Sequence, residues 1–197
     1  MAGITHITAV VLAAGLSSRM GDTNKLLHEI AGKSMLVHVL DRLEQSSVDR
    51  IILVLGHEAP KIEREIDKAG SHVQKILNAD YLLGMSTSIS KGAKALHGTS
   101  ACMICLGDMP YIESGEYEQL LSDFRSRGSA SKILIPKFRN RTGNPVIFGE
   151  NYFSELSSLA ANDRGARNII EKYSTHLLYF EMASDHVLRD IDTLPQI

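Results

Sequence analysis

Five aliphatic residues stand in a row at Ile51-Ile52-Leu53-Val54-Leu55, with no polar residue alternating among them. A strand with one wet face alternates apolar and polar side chains, whereas a strand covered on both faces does not. The strand that holds this run is read as Arg50 to Leu55, runs of the same kind occur at Ile7 to Ala13 and Ala101 to Leu106, and a shorter one at Val73 to Leu77. Between them apolar residues recur at helical spacing: Leu36, Val39, Leu40 and Leu43, then Ile62, Ile66 and Ala69, then Ile89, Ala93 and Leu96. Strand and helix in alternation define an α/β fold with a mostly parallel, Rossmann-like sheet and helices on both of its faces. Past Asp108 the order is less regular. A helix is expected around Tyr117 to Phe124, strands at Lys132 to Pro136 and Pro145 to Phe148, helical stretches at Tyr152 to Leu159 and Gly165 to Tyr173, and a last strand at Leu177 to Met182. These extend the same sheet, so the 197 residues form a single domain, with its first half at about 1–110 and its second at about 111–197.

At 44% hydrophobic residues, a chain of this length buries roughly 70% of its unfolded surface and needs no staple. The charge balance of 21 Lys and Arg against 23 Asp and Glu argues against a partner held by bulk electrostatics, so neither nucleic acid nor a membrane surface is expected. No apolar run approaches the roughly 20 residues of a membrane span, and the N-terminus lacks a basic, cleavable leader. A cytoplasmic location is expected. Cys102 and Cys105 lie three apart in one strand, which sends their thiols to opposite faces and suits neither a disulfide nor a shared metal. Both are read as small core residues, as are Met35, Met103 and Met182. The eight histidines are scattered singly; His57, directly after a strand, is either a pocket-lining or a plain loop residue.

In open parallel sheets the loops at the carboxyl ends of the strands build the site. The first of these loops follows a buried strand and reads Leu12-Ala13-Ala14-Gly15-Leu16-Ser17-Ser18-Arg19-Met20-Gly21-Asp22-Thr23-Asn24-Lys25. Its small residues let backbone N–H groups approach an anion, and Arg19 and Lys25 add two positive charges, which together make a phosphate cradle. One residue too many separates Gly15 from Gly21 for a Walker loop, and no third glycine completes a dinucleotide fingerprint.

The loop resembles the first motif of the small nucleotidyltransferases that activate the molybdenum cofactor. The likeness extends through Gly84-Met85-Ser86-Thr87-Ser88-Ile89, Leu106-Gly107-Asp108-Met109-Pro110, Gly143-Asn144-Pro145-Val146-Ile147-Phe148, Asp163-Arg164-Gly165-Ala166-Arg167 and Asp190-Ile191-Asp192-Thr193. These look like the motifs of the cytidylyltransferase branch. The resemblance implies a nucleotide-diphospho-sugar transferase type of fold, a Mg–NTP substrate, and transfer of a nucleoside monophosphate to a phosphorylated acceptor with release of pyrophosphate. It implies CTP as the donor, because Ala13-Ala14-Gly15 stands where the guanylyltransferases have Leu-Ala-Gly-Gly. The acceptor it implies is a molybdopterin-type cofactor, with a recipient molybdoenzyme or its chaperone as a further partner.

Attack by an anionic phosphate on an anionic α-phosphoryl group asks chiefly for charge neutralisation and alignment. Arg19, Lys25 and the amides of Leu12, Ala13, Ala14, Gly15, Ser17 and Ser18 suit the triphosphate. Asp108, at a strand end, suits Mg²⁺, a hard cation that takes a few carboxylates plus phosphate oxygens. Arg19, Lys25 and Asp108 are therefore the expected catalytic residues. Asp190 is the expected second metal ligand if the tail folds back, although Leu194 interrupts the family's usual Asp-Ile-Asp-Thr-Pro. Asn78, Gly84 and Ser86 are read as contacts to base, ribose or phosphate, with Ser86 equally suited to cap a helix. Asn144, Arg164 and Arg167 follow the resemblance as acceptor contacts, and either arginine equally suits a helix end or solvent. A guanylyltransferase, a sugar- or alcohol-phosphate nucleotidyltransferase and a non-catalytic nucleotide- or cofactor-binding module remain the alternatives.

Overall fold

A computed structural model describes residues 4–16 and 24–191. Strands β1 (Ile7–Ala13), β4 (Arg50–Leu55), β5 (Gln74–Leu77) and β6 (Ala101–Leu106) run parallel in the order β5-β4-β1-β6. Register pairs Val10 with Ile52 on one side and with Ile104 on the other. Beyond β6 the sheet continues through β9 (Val146–Gly149), β7 (Ile133–Phe138) and β10 (Leu177–Glu181). Along this path β9 is antiparallel to both neighbours, while β10 is parallel to β7. The expected mostly parallel α/β sheet is the one observed.

The period of two along each strand divides the core. Ala9, Val11 and Ala13 face one layer with Leu53, Met103 and Cys105, covered by α1 (Met35–Glu44), α2 (Ala59–Ala69) and α4 (Ser114–Arg127). Val10, Ile52, Val54 and Cys102 face the other, covered by α3 (Met85–Ala93), α5 (Phe153–Ser157) and α6 (Arg167–Lys172). The two thiols are buried in opposite layers, and burial pushes both pKa values far up. Met35, Met103 and Met182 are buried as expected. α3 lies flush on the sheet because residue 92 is glycine; a Cβ there would stand 2.4 Å from Val10 Cγ1.

Strands β1, β4 and β6 have the bounds their apolar runs predict. The exposed pattern of β5 departs from a fully buried strand, because β5 is the last strand on its side of the sheet. α3 is capped by Gly84, not by Ser86. The stretch expected to be helical from Gly165 becomes α6 only at Arg167. Two short pieces carry no apolar run and are new: the hairpin of β2 (Glu29–Ile30) with β3 (Lys33–Ser34), and β8 (Arg141–Thr142), which pairs with β7. Among the described residues no helix is long and apolar enough to cross a membrane.

Candidate active site

The strand order reverses beside β1: the chain first builds β4 and β5 on one side, then returns to lay β6 on the other. A crevice opens at the carboxyl ends of two such strands. Two of the expected catalytic residues meet there. Lys25 Nζ donates to Asp108 Oδ2 at 2.6 Å, with the side chains 16% and 18% exposed. The pair is sheltered on several sides and still open to a ligand.

Each partner is held by its neighbours. Asn24 accepts the Leu26 N–H at 3.1 Å and so caps the 3-10 turn Lys25–Leu27, while Leu26 is buried. Lys25 is thereby fixed between a buried cap and a buried leucine. On the other side, the Gly107 N–H bonds the Leu12 carbonyl at 3.1 Å. A Cβ at Gly107 would lie 3.0 Å from that oxygen and 3.1 Å from Leu36 Cδ1, so the turn closes tightly. Met109 and Ile112 are buried beyond it, while the Asp108 carboxylate stays partly exposed and reaches Lys25.

The tail folds back onto this turn. The Ile191 N–H donates to the Asp108 carbonyl at 3.0 Å, which brings the exposed Asp190 to the same place. Val187 and Ile191 are buried, and the Asn144 N–H bonds the Val187 carbonyl at 2.9 Å. Register pairs Ile104 with Val146, so Asn144 lies at the Asp108 end of the sheet. Oxygen donors from Asp108 and Asp190 suit a hard divalent cation that completes its shell with phosphate and water. No cluster of three His, Cys, Asp or Glu that would hold a metal by protein ligands alone occurs among the described residues.

The other expected residues fall into different settings. Ser17, Ser18 and Arg19 lie outside the described residues, as does Asp192. Ala13 is in the core, Leu12 packs partly buried against the α3 layer, and the Ala14 carbonyl accepts the His57 N–H at 3.3 Å. A Cβ at Gly15 meets nothing within 4 Å among the described residues. Asn78 is buried, and its amide donates to Thr87 Oγ1 at 2.9 Å and Ser88 Oγ at 3.0 Å while accepting the Asp80 N–H. Ser86 is also buried; its hydroxyl lies 2.8 Å from the Ala160 and Asn162 carbonyls and accepts the Asn162 N–H at 2.7 Å. These two side chains tie loops together. Gly84 (φ +108°) is pressed against that same 160–163 segment. Arg164 is exposed and pairs with Glu171 at 2.8 Å, and Arg167 is exposed at the start of α6.

Three contributors were not read from the sequence. Gly56 lets the β4 loop approach β1, since a Cβ there would stand 2.7 Å from Ala14 Cβ. Glu116 accepts from His186 Nδ1 at 2.9 Å and from the Ser184 hydroxyl, fastening the tail turn to α4. Arg189 lays its guanidinium 4.3 Å over the Tyr111 ring. Of these, only Glu116 was traceable, as the fourth residue of a Glu-x-x-Glu capping box.

A cation–carboxylate pair thus stands at the switch point of a mostly parallel sheet, and the tail carries Asp190 to the same turn. The chain belongs to the MobA-like NTP transferase domain family, whose model matches residues 9–177. It is 30% identical over 149 residues to the Bifunctional protein GlmU of Mycolicibacterium smegmatis, a match that covers 73% of this chain and 31% of that protein. The chain therefore spans about a third of that relative's length. Rv0371c from Mycobacterium tuberculosis H37Rv superposes with a TM-score of 0.77 at 26% identity, covering 97% of this chain and 95% of that one. A second structure of Rv0371c, with manganese, superposes at TM-score 0.70 and 24% identity, covering 91% and 90%. CMP:2-keto-3-deoxy-manno-octonic acid synthetase complexed with CTP shares the fold at TM-score 0.78 and 16% identity, covering 98% and 95%.

Proposed function

We propose that this enzyme transfers CMP from Mg–CTP to the terminal phosphate of a molybdopterin-type cofactor in the cytoplasm, giving the cytosine dinucleotide cofactor and pyrophosphate. The observation that carries the reading is the Lys25–Asp108 pair with Asp190 brought beside it. An oxygen of the acceptor phosphate attacks the α-phosphorus; the new P–O bond forms as the bond to the β-phosphate oxygen breaks, and pyrophosphate leaves. Lys25 turns from Asp108 to the triphosphate, offsetting the charge that builds on the leaving group. Asp108 and Asp190 hold Mg²⁺, which when bound supplies positive charge to the phosphate oxygens.

The nucleotide is assigned to the first half, about 1–110: the loop from Leu12 through Arg19, Lys25, and the turn carrying Asn78, Gly84 and Ser86. Asn78 and Ser86 serve there by shaping the turn, since their polar atoms are engaged. The acceptor falls to the second half, about 111–197, with Asn144, Arg164 and Arg167, and the product passes to a molybdoenzyme or its chaperone. CTP as the donor is supported by Ala13-Ala14-Gly15, which resembles the cytidylyltransferase branch; the Ala14 methyl itself is buried against Gly56.

Thermal unfolding with CTP, GTP, ATP and UTP, each with and without Mg²⁺, tests the reading. A ligand at about 100 times its Kd adds about 2.7 kcal/mol to stability. A Mg²⁺-dependent shift with CTP alone is expected, followed by pyrophosphate release only when molybdopterin is added. A shift with GTP would move the enzyme to a guanylyl donor, and full turnover by Asp108→Asn would overturn the metal assignment.

A further inference from the structure

Transfer to a phosphate monoester requires a cation at the acceptor side of the reacting phosphorus, separate from the cations that hold the triphosphate. Among the described residues, no contact ties either expected arginine to the Asp108 turn. Arg164 is turned to Glu171 on the exposed face of the 163–171 segment, and Arg167 opens α6 on the same segment. Another arginine is carried to the Asp108 turn by the tail itself.

Arg189 precedes Asp190, and the next residue, Ile191, is bonded to the Asp108 carbonyl. Its guanidinium lies 4.3 Å over the ring of Tyr111, the third residue after Asp108. Stacking on an aromatic face leaves the guanidinium edge, with its N–H donors, free to meet an anion. Arg189 is exposed and has no ion pair or hydrogen bond through that group among the described residues. The segment that carries it is firmly held. Glu116 accepts from Ser184 and His186, the Asn144 N–H bonds the Val187 carbonyl, and a Cβ on Gly143 would stand 2.1 Å from that same carbonyl oxygen. A cation on a pinned turn, stacked and without a carboxylate partner among the described residues, is prepared for an anion.

We infer that Arg189 binds the phosphate monoester of the acceptor, presenting a planar fork beside the Asp108 and Asp190 carboxylates, with Tyr111 as its platform. This rests on the proposed function, because the Mg–nucleotide must fill the other side of the crevice. The same guanidinium chemistry would serve a phosphate of the nucleotide, so the test fills the nucleotide site first.

Full-length protein is saturated with Mg²⁺ and α,β-methylene-CTP, a donor that does not turn over, and inorganic phosphate is titrated calorimetrically as the acceptor probe. Wild type should bind phosphate, Arg189→Ala should weaken that binding about tenfold or more, and Arg189→Lys should recover part of it, since charge returns without the fork. Affinity for the nucleotide analogue should change by less than about twofold in both variants. Phosphate affinity unchanged in Arg189→Ala overturns the inference. Loss of nucleotide affinity instead assigns Arg189 to the triphosphate and overturns it as well. Failure of wild type to bind the Mg–nucleotide analogue sinks the proposed function and this inference with it, whereas normal nucleotide binding without any phosphate binding sinks the inference alone.

Discussion

Replacing Gly84 with Ala tests how firmly the 160–163 loop is bound to the start of α3. Gly84 has φ +108° and ψ +168°, a region that residues with a side chain scarcely populate, at a strain of about 1–3 kcal/mol. Its Cβ would also stand 2.4 Å from the Asn162 carbonyl oxygen and 2.7 Å from Asp163 Oδ1. Backbone on the far side cannot yield as a flexible side chain would, so the loop must move. Movement breaks the bonds that Ser86 makes to it through its N–H and its hydroxyl, each worth about 1 kcal/mol. The sum is about 3–5 kcal/mol, or roughly 6–20 °C in melting temperature for a chain of this size. Two controls separate the causes. Gly98→Ala has a positive φ of 69° but nothing within 4 Å of the new Cβ, so it carries about 1 kcal/mol of strain and no clash. Gly115→Ala, inside α4 with ordinary φ and open space, should be neutral or stabilising by about 0.4–1 kcal/mol. Calorimetric melting of the three variants gives the comparison. If Gly84→Ala melts with Gly98→Ala, the loop is not packed on α3 and the account of Ser86 is wrong.

Buried in opposite layers and with their pKa values raised by desolvation, Cys102 and Cys105 should resist a disulfide reagent in native buffer and react fully in denaturant; fast labelling of the native protein would contradict the burial. Acid should destabilise the contact between α1 and α4. The Arg42 guanidinium holds Glu113 below its ordinary value near 4.5, and the Ser47 hydroxyl and N–H do the same for Glu118. A depressed carboxylate contributes stability that is complete above the unfolded pKa and is lost as pH falls through the folded one. Stability should therefore decline below about pH 4.5 and more shallowly in Glu118→Gln, and an identical slope in that variant would remove Glu118 from the account. Glu116→Ala, which strips the tail turn of its bonds to Ser184 and His186 and α4 of part of its cap, should cost about 2 kcal/mol in urea unfolding and weaken Mn²⁺ binding measured by electron paramagnetic resonance. Unchanged Mn²⁺ affinity would mean that Asp190 keeps its place without the clasp.

How far the sequence reached depended on the distance over which each feature is decided. β1, β4 and β6 were legible to the residue because a strand buried on both faces has to be apolar throughout, and the turn after it has to break that run. The hairpin at residues 29–34 was not, since two paired residues on each side leave no periodicity to read. Lys25 and Asp108 were each found alone, as a cation in a small-residue loop and a carboxylate at a strand end; the sheet order joins them across 83 positions. Asn78 and Ser86 show the reverse. Their types fit a nucleotide site, but whether an amide or hydroxyl faces a ligand or a neighbouring loop is decided by Thr87, Ser88, Ala160 and Asn162, and nothing local to residue 78 or 86 announces it. Gly56 and Arg189 acquire meaning only when Ala14 and Tyr111 are brought against them.

The contacts around residues 184–191 explain why this segment is held against the Asp108 turn. Carboxylates brought close repel, so a segment that carries Asp190 to the Asp108 turn needs other interactions to oppose that repulsion. Here the opposition is built from parts outside the crevice. Val187 and Ile191 bury apolar side chains beneath the turn, Glu116 binds it from α4, and the Asn144 N–H binds it from the start of β9. Lys25 then neutralises Asp108 from the opposite loop. The Asp108 turn and the tail turn are thus held together by the fold itself, through the bonds made at residues 107, 116, 144 and 191. Under the proposed function, an entering phosphate meets turns that the fold already holds in place, which is what electrostatic preorganisation of a phosphoryl-transfer site demands.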